Sequence, residues 1–295
     1  MINEINDILK RRNIHPISYR KIKNVYIVNS RDNSYVIKLN TNNYDIYKYL
    51  KSRDFLFFPK NFNNPYDNYD ISLYINGLSV NNEQKINDYI KIIALLHKKT
   101  SYQREINLDE IKEKYESLNN KLISLRKHYI SLNDIIDHHL FLSPSEYLLV
   151  RNISLIYSVL DNSEFLLNKV YSVIKNSKSI RVSLLHNNPD LNHLIINDYE
   201  YLVSWDKSYF DSPIYEIELF YRKYYRDVDL NDLLKIYENI NELTKIEKKI
   251  LLINLSIPKE IKLTSDIYLD TKLINDEVNY LNKVYELLIK YKSEL

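Results

Sequence analysis

The chain has 295 residues, with one glycine, no cysteine, one methionine and one tryptophan. Ordinary usage is about 7% glycine, or roughly 20 residues at this length. The lone Gly77 therefore excludes the Walker phosphate loop, the dinucleotide fingerprint, the usual glycine-hinged kinase phosphate loop and the nucleophile elbow, and the lack of cysteine excludes disulfides, thiolate nucleophiles and cysteine–zinc sites. Basic and acidic side chains number 41 and 39 for a net charge of +2, a balance that calls for neither nucleic acid nor an acidic membrane surface.

In chain order, Ile2, Ile5, Ile8 and Leu9 share one face of a helix over 2–12. Its acids precede any apolar block, which argues against a secretory signal and makes the cytoplasm the expected compartment. β-Branched and aromatic residues at 24–30 and 34–40, joined by Arg31-Asp32-Asn33, read as a β-hairpin. A short helix follows over 44–52, then a break at Pro59 and the Asn/Asp/Pro-rich stretch 61–67, then a strand over 69–76.

After Gly77 the pattern turns helical. Asn81-Asn82-Glu83-Gln84 is a capping-box pattern opening a helix to His97. Ser143-Pro144-Ser145-Glu146 and Thr244-Lys245-Ile246-Glu247 are two further start signals. Apolar periodicity places helices over 107–138, 143–176, 213–225, 230–239, 244–256 and 265–293. Short strand patterns return between 181 and 206 as VSLLH, HLIIN and YEYLVSW. The layout is α+β, with a small β-rich part over 1–78 and a large helical part over 79–295 that carries a β insertion at 181–206. No apolar run approaches the ~18 residues needed to span a bilayer. Adjacent His138 and His139 do not share a helix face and read as a helix C-terminal pair facing the dipole. The abundance of Asn, Ile, Lys and of 28 Tyr, all A/T-rich codons, points to a low-GC bacterial genome.

The stretch from Leu184 to Ile217, LLHNNPDLNHLIINDYEYLVSWDKSYFDSPIYEI, carries the chemistry. It resembles the catalytic segment of the aminoglycoside phosphotransferases, the choline-type kinases and the spore-coat kinase-like proteins. In that family a His-x-Asp, four residues, Asn loop is followed by two strands, an Asp-aromatic pair, Asp-x-Pro and a further acid at a helix start. His186, Trp205, Asp211, Pro213 and Glu216 stand at the matching positions, and Leu95-Leu96-His97 resembles the family's leucine–histidine helix end. Lys38, in YVIK, stands where the family's nucleotide lysine stands. The spore-coat branch resembles DSPIYEIELFYRK best. The resemblance implies a bilobal protein-kinase-like fold, with ATP and magnesium as the family's cofactors and a spore-associated location as the branch's setting.

Three chemical positions depart from the family. Asn188 replaces the catalytic base, His193 the metal-binding asparagine and Ser204 the second metal-binding aspartate. Asparagine does not accept a proton at neutral pH, and losing such a group costs ~10²–10⁴ in rate. Magnesium favours anionic oxygen ligands over a neutral hydroxyl or a nitrogen. These changes read as a pseudokinase that binds a protein partner or small ligand, with no cofactor, no nucleic acid and no membrane partner. The alternative is an active ATP-dependent small-molecule phosphotransferase in which Asp190 serves as displaced base and Asp206 as displaced metal ligand. Read blandly, Asp190 is a turn residue after Pro189 and Asp206 a capping acid. Asp45, in the helix after the hairpin, is the nearest acid for pairing with Lys38, and His186 orients the loop in the family.

Overall fold

A computed structural model describes residues 2–22, 24–39 and 41–292. In chain order the elements are α1 (Ile2–Lys10), β1 (Pro16–Ile22), β2 (Val25–Ser30), β3 (Ser34–Leu39), α2 (Tyr44–Ser52), β4 (Tyr69–Leu73), α3 (Asn82–Thr100), β5 (Tyr102–Glu105), α4 (Leu108–Asp137), α5 (Pro144–Ile174), β6 (Ser179–Leu185), β7 (Leu194–Ile196), β8 (Glu200–Leu202), β9 (Tyr209–Asp211), α6 (Ile214–Tyr224), α7 (Leu230–Glu238), α8 (Lys245–Ser256) and α9 (Ile267–Lys292). The arrangement is α+β, as the sequence pattern indicates. The expected ends Asn40 and Ser293 lie outside the described residues. Among the described residues, no helix is long and apolar enough to cross a membrane.

The chain forms two compact units, Met1–Tyr102 with Val182–Glu242, and Gln103–Arg181 with Leu243–Leu295. In the first, strands β1 to β4 make an antiparallel sheet in sequence order. The hairpin expected over 24–40 is thus the middle of a four-stranded sheet, and Asn24 lies in the turn before it. Strand β1 is missing from the sequence reading for a physical reason. It is an edge strand whose residues are mostly exposed, so no alternation of apolar and polar residues marks it. Strands β5 and β9, of four and three residues, are too short to carry a period.

Alternation sets the two faces of this sheet. Tyr26, Val28, Tyr35, Ile37, Tyr69 and Ile71 turn one way and pack with Ile5, Ile8 and Leu9 of α1 into a core. Lys38, one residue out of phase, belongs to the other face, where it stands opposite Asp70 of β4. Helix α2 meets that same Asp70. Asn43 Nδ2 lies 2.9 Å and Tyr47 OH 3.3 Å from Oδ2, and Asn63 donates to Oδ1. Gly77 follows. A Cβ there would lie 3.1 Å from Ile195 Cγ2, and the next residue, Leu78, donates its N–H to Ile196 O at 2.7 Å. The chain's single glycine therefore sits where the backbone passes closely over β7.

Helix α3 runs on three residues past its expected end at His97, to Thr100. It is capped by Asn81, which accepts from Gln84 N–H. Strands β7 and β8 form a short hairpin, and β6 pairs antiparallel with β9.

The second unit is a helical assembly of α4, α5, α8 and α9. Both sequence-predicted start signals close as reciprocal capping boxes, Ser143 with Glu146 and Thr244 with Glu247. Glu247 also receives Arg181 through two bonds, Nε at 2.8 Å and Nη2 at 2.6 Å, the bidentate geometry that makes such pairs strong. His138 and His139 follow the end of α4, one turned to Asp134 O and the other to the Glu146 carboxylate.

Candidate functional site

The site lies in the first unit and starts at the end of β6. His186 is unexposed, and its Nε2 lies 2.9 Å from Val203 O. Since a carbonyl only accepts, Nε2 carries the proton. Burial lowers the imidazole pKa, so the ring is neutral at physiological pH. The edge of Trp205 closes over it at a centroid distance of 4.9 Å. Trp205 is buried and donates Nε1–H to Leu202 O.

The loop after β6 is held by a single carboxylate. Glu216, in the first turn of α6, accepts the backbone N–H of His186 at 2.9 Å and of Asn187 at 3.0 Å. His97 Nε2 lies 3.0 Å from the same carboxylate, and His97 Nδ1 lies 2.8 Å from Tyr237 OH. Tyr237 in turn receives Asn241 Nδ2 at 2.8 Å. The chain of bonds can run in one direction: amide to phenol, phenol to Nδ1, and Nε2–H to carboxylate. Burial pushes the Glu216 carboxyl up, but the hydrogen bonds from His97 and from the loop backbone outweigh it and hold the pKa below the usual carboxylate range.

Beyond the loop, four sequence-predicted residues come together. Lys38 Nζ lies 3.0 Å from Ser204 Oγ and 3.3 Å from Asp206 Oδ1. Asn188 Nδ2 lies 3.3 Å from the carbonyl oxygen of Ser204. Ser204 has φ 68° and ψ 58°, the left-handed region, and this turn carries its hydroxyl to the lysine. Desolvation opposes ionisation of Asp206, but the Lys38 ammonium and a backbone N–H more than offset it, so the carboxyl titrates below its usual value. The side chains of Lys38 and Asp206 remain 24% and 35% exposed.

Asp190 and Asp45 go elsewhere, while His193 stays beside Asn188. Asp190 Oδ1 accepts Asn192 N–H at 2.9 Å, capping the short turn Leu191–His193, and its Oδ2 takes Lys223 Nζ of α6 at 2.9 Å. Those two donors, the backbone N–H first, lower its pKa. His193 Nδ1 lies 3.1 Å from Asn188 O, so Nδ1 carries the proton. Asp45 is exposed on the first turn of α2, while Lys38 is met by Ser204 and Asp206. Residues that sequence reasoning passed over are Asp70 and Lys223. Asp70 lies outside the catalytic segment, and its signal is the strand phase it shares with Lys38. Nothing short of the fold brings Lys223 to Asp190.

The chemistry available follows from the donor set. Asn188 presents an amide, one N–H of which is committed to a carbonyl. A divalent cation would meet one carboxylate, Asp206, already neutralised by Lys38, beside a neutral hydroxyl and an imidazole. Magnesium demands near-octahedral hard oxygen ligands and favours carboxylates. The residues present do not fit it. Among the described residues, no group of three His, Asp or Glu side chains is placed to hold a metal ion.

No family model and no curated protein sequence matches the chain. Solved structures do. An aminoglycoside phosphotransferase from Alicyclobacillus acidocaldarius aligns at 10% identity with a TM-score of 0.69, covering 95% of this chain and 93% of that one. Spectinomycin phosphotransferase in its AMP-bound form aligns at 13% identity with a TM-score of 0.56, covering 96% and 98%. The same enzyme with ADP and spectinomycin aligns at 11% identity with a TM-score of 0.52, covering 96% and 97%. At these identities the likeness is one of fold: the chain has the kinase-like fold of the aminoglycoside phosphotransferases.

Proposed function

We propose that this chain, built on the aminoglycoside phosphotransferase fold, is a pseudokinase that works by binding a protein partner or a ligand rather than by phosphoryl transfer. The supporting observation is the state of Lys38. Its ammonium is turned to Ser204 Oγ and the lone carboxylate of Asp206, where phosphoryl transfer calls for metal-bound phosphates and a base. Asn188 supplies an amide in place of that base. A transferase using displaced acids would draw on Asp190, whose two oxygens are each engaged, by Asn192 N–H and by Lys223, as those of a turn residue.

The test is product formation. Purified protein, ATP and magnesium are incubated with spectinomycin, an aminoglycoside or choline, and the products are read by mass spectrometry. The expected result is no phosphorylated product. A product that disappears in Asp190→Asn or Asp206→Asn overturns the reading and establishes the displaced-acid enzyme.

A further inference from the structure

We infer that this site binds a phosphate group directly, with no divalent cation, and that Asp206 is the built-in competitor for it. The inference rests on the non-catalytic reading above and adds the ligand's chemistry. A set of acidic residues repels phosphate unless a cation stands between them. Here all three departed positions carry hydrogen-bond donors, two of them, Asn188 and Ser204, with a donor to spare, and the balance of charge changes with them. Lys38 brings one positive charge and Asp206 one negative charge. Two other carboxylates are accounted for: Asp70, opposite Lys38 on β4, takes Asn43, Tyr47 and Asn63, and Asp190 is engaged by Lys223.

The donors are not used up. Lys38 has three N–H bonds and directs two, at Ser204 Oγ and Asp206 Oδ1. Ser204 accepts from the lysine, which leaves its own O–H proton to give. Asn188 spends one amide hydrogen on Ser204 O and keeps the second. Three unspent donors thus surround one ammonium whose side chain is open to water. Charge-assisted hydrogen bonds to phosphate oxygens are the strong kind. The contact to be displaced, a 3.3 Å ion pair between partly exposed groups, is the weak kind. A phosphate that reaches Lys38 takes Asp206's place on it.

The experiment is calorimetric titration with ATP and, separately, with inorganic triphosphate, each in chelator and in magnesium. Saturable binding in chelator, no tighter with magnesium, is expected for the wild type. Equal affinity for the two probes identifies the phosphates as the whole ligand, and tighter ATP binding adds a contact to the nucleoside; both support the proposal. Asp206→Asn should bind about tenfold tighter, the size of one removed charge repulsion at a partly solvated site. Lys38→Met should weaken binding at least about tenfold, and Lys38→Arg should recover most of it because it keeps the charge. Circular dichroism of each variant separates lost binding from lost fold. Binding that occurs only with magnesium overturns the proposal, as does Asp206→Asn binding no tighter than wild type, or no binding of either probe by both wild type and Asp206→Asn at millimolar concentration. Magnesium-dependent binding without a phosphorylated product sinks this inference alone, whereas a product sinks the non-catalytic reading.

Discussion

His97 and Glu216, 119 residues apart in the chain, meet with Nε2 3.0 Å from Oε2 and almost no exposure of either side chain. The same carboxylate takes the two backbone N–H groups that begin the loop at 186–187. Tyr89 OH lies 3.5 Å from Oε1 as well, so truncation by Glu216→Ala strands four donors at once and should cost about 3–5 kcal/mol in urea unfolding. Glu216→Gln keeps an acceptor of the same size and should cost less. If alanine costs under about 1 kcal/mol, this carboxylate is not what holds the loop.

Acid should weaken the fold in two stages. His186 is buried neutral with its pKa lowered. The unfolded chain therefore takes up the proton first, and stability that is full above about pH 6.5 is lost as pH falls from there toward the folded value. Glu216, Asp190 and Asp206 have lowered pKa values. Their contribution is full above the ordinary carboxylate pKa, about 4, and lost as pH falls through the folded values. Urea midpoints at several pH values between about 8 and about 2 check both stages. His186→Gln keeps a donor for Val203 O and should flatten the upper stage only; an unchanged slope between pH 7 and 5 in that variant contradicts the assignment.

Asp190 offers a separate test of roles. Its carboxylate caps a short turn and pairs with Lys223, a partly exposed contact. Asp190→Ala should cost about 1 kcal/mol, chiefly the cap, with the exposed pair adding little. Phosphate binding at Lys38 should be unchanged by it. A tenfold change in that affinity would show that the two acids share one site.

Legibility from sequence differed by element for physical reasons. Helices α4 to α9 carried a 3.6-residue period, and α5 and α8 a start signal as well, so their limits fell within one or two residues of expectation. Edge strand β1 carried no period. At the site, Lys38, Asn188 and Ser204 were found through the motif and are joined in the structure. Asp45 was chosen as the lysine's partner by nearness in sequence. Strand alternation argues otherwise, because Lys38 shares its face with Asp70, and the residues at the start of α2 that reach Asp70 are Asn43, just before the helix, and Tyr47. Asp190 and Asp206, two residues from their neighbours in the motif, looked equivalent in sequence. Only the left-handed turn at Ser204 sends one to Lys38, while the 3₁₀ turn sends the other to Lys223.

That turn predicts its own mutational signature. A left-handed conformation costs a non-glycine residue about 1–2 kcal/mol, least for short polar side chains and most for β-branched ones. Ser204→Gly should therefore be as stable as wild type or slightly better, and Ser204→Val about 2 kcal/mol less stable than Ser204→Gly. Equal stability of the two would mean that position 204 is not left-handed.

Aspartate is among the residues that accept this conformation, so acidic ligands can be introduced without forcing the backbone. The variant Asn188→Asp, His193→Asn, Ser204→Asp places three carboxylates near one another, counting Asp206, and gives the site the oxygen-rich set that magnesium favours. Each new acid also repels a bare phosphate. The variant should therefore reverse the cation dependence: triphosphate binding should fall by tenfold or more in chelator and return when magnesium is added. A ligand-induced rise in melting temperature, seen only with both magnesium and ATP, is the corresponding thermal readout. A folded variant that still binds triphosphate in chelator as tightly as wild type would show that residues 188 and 204 do not face the ligand.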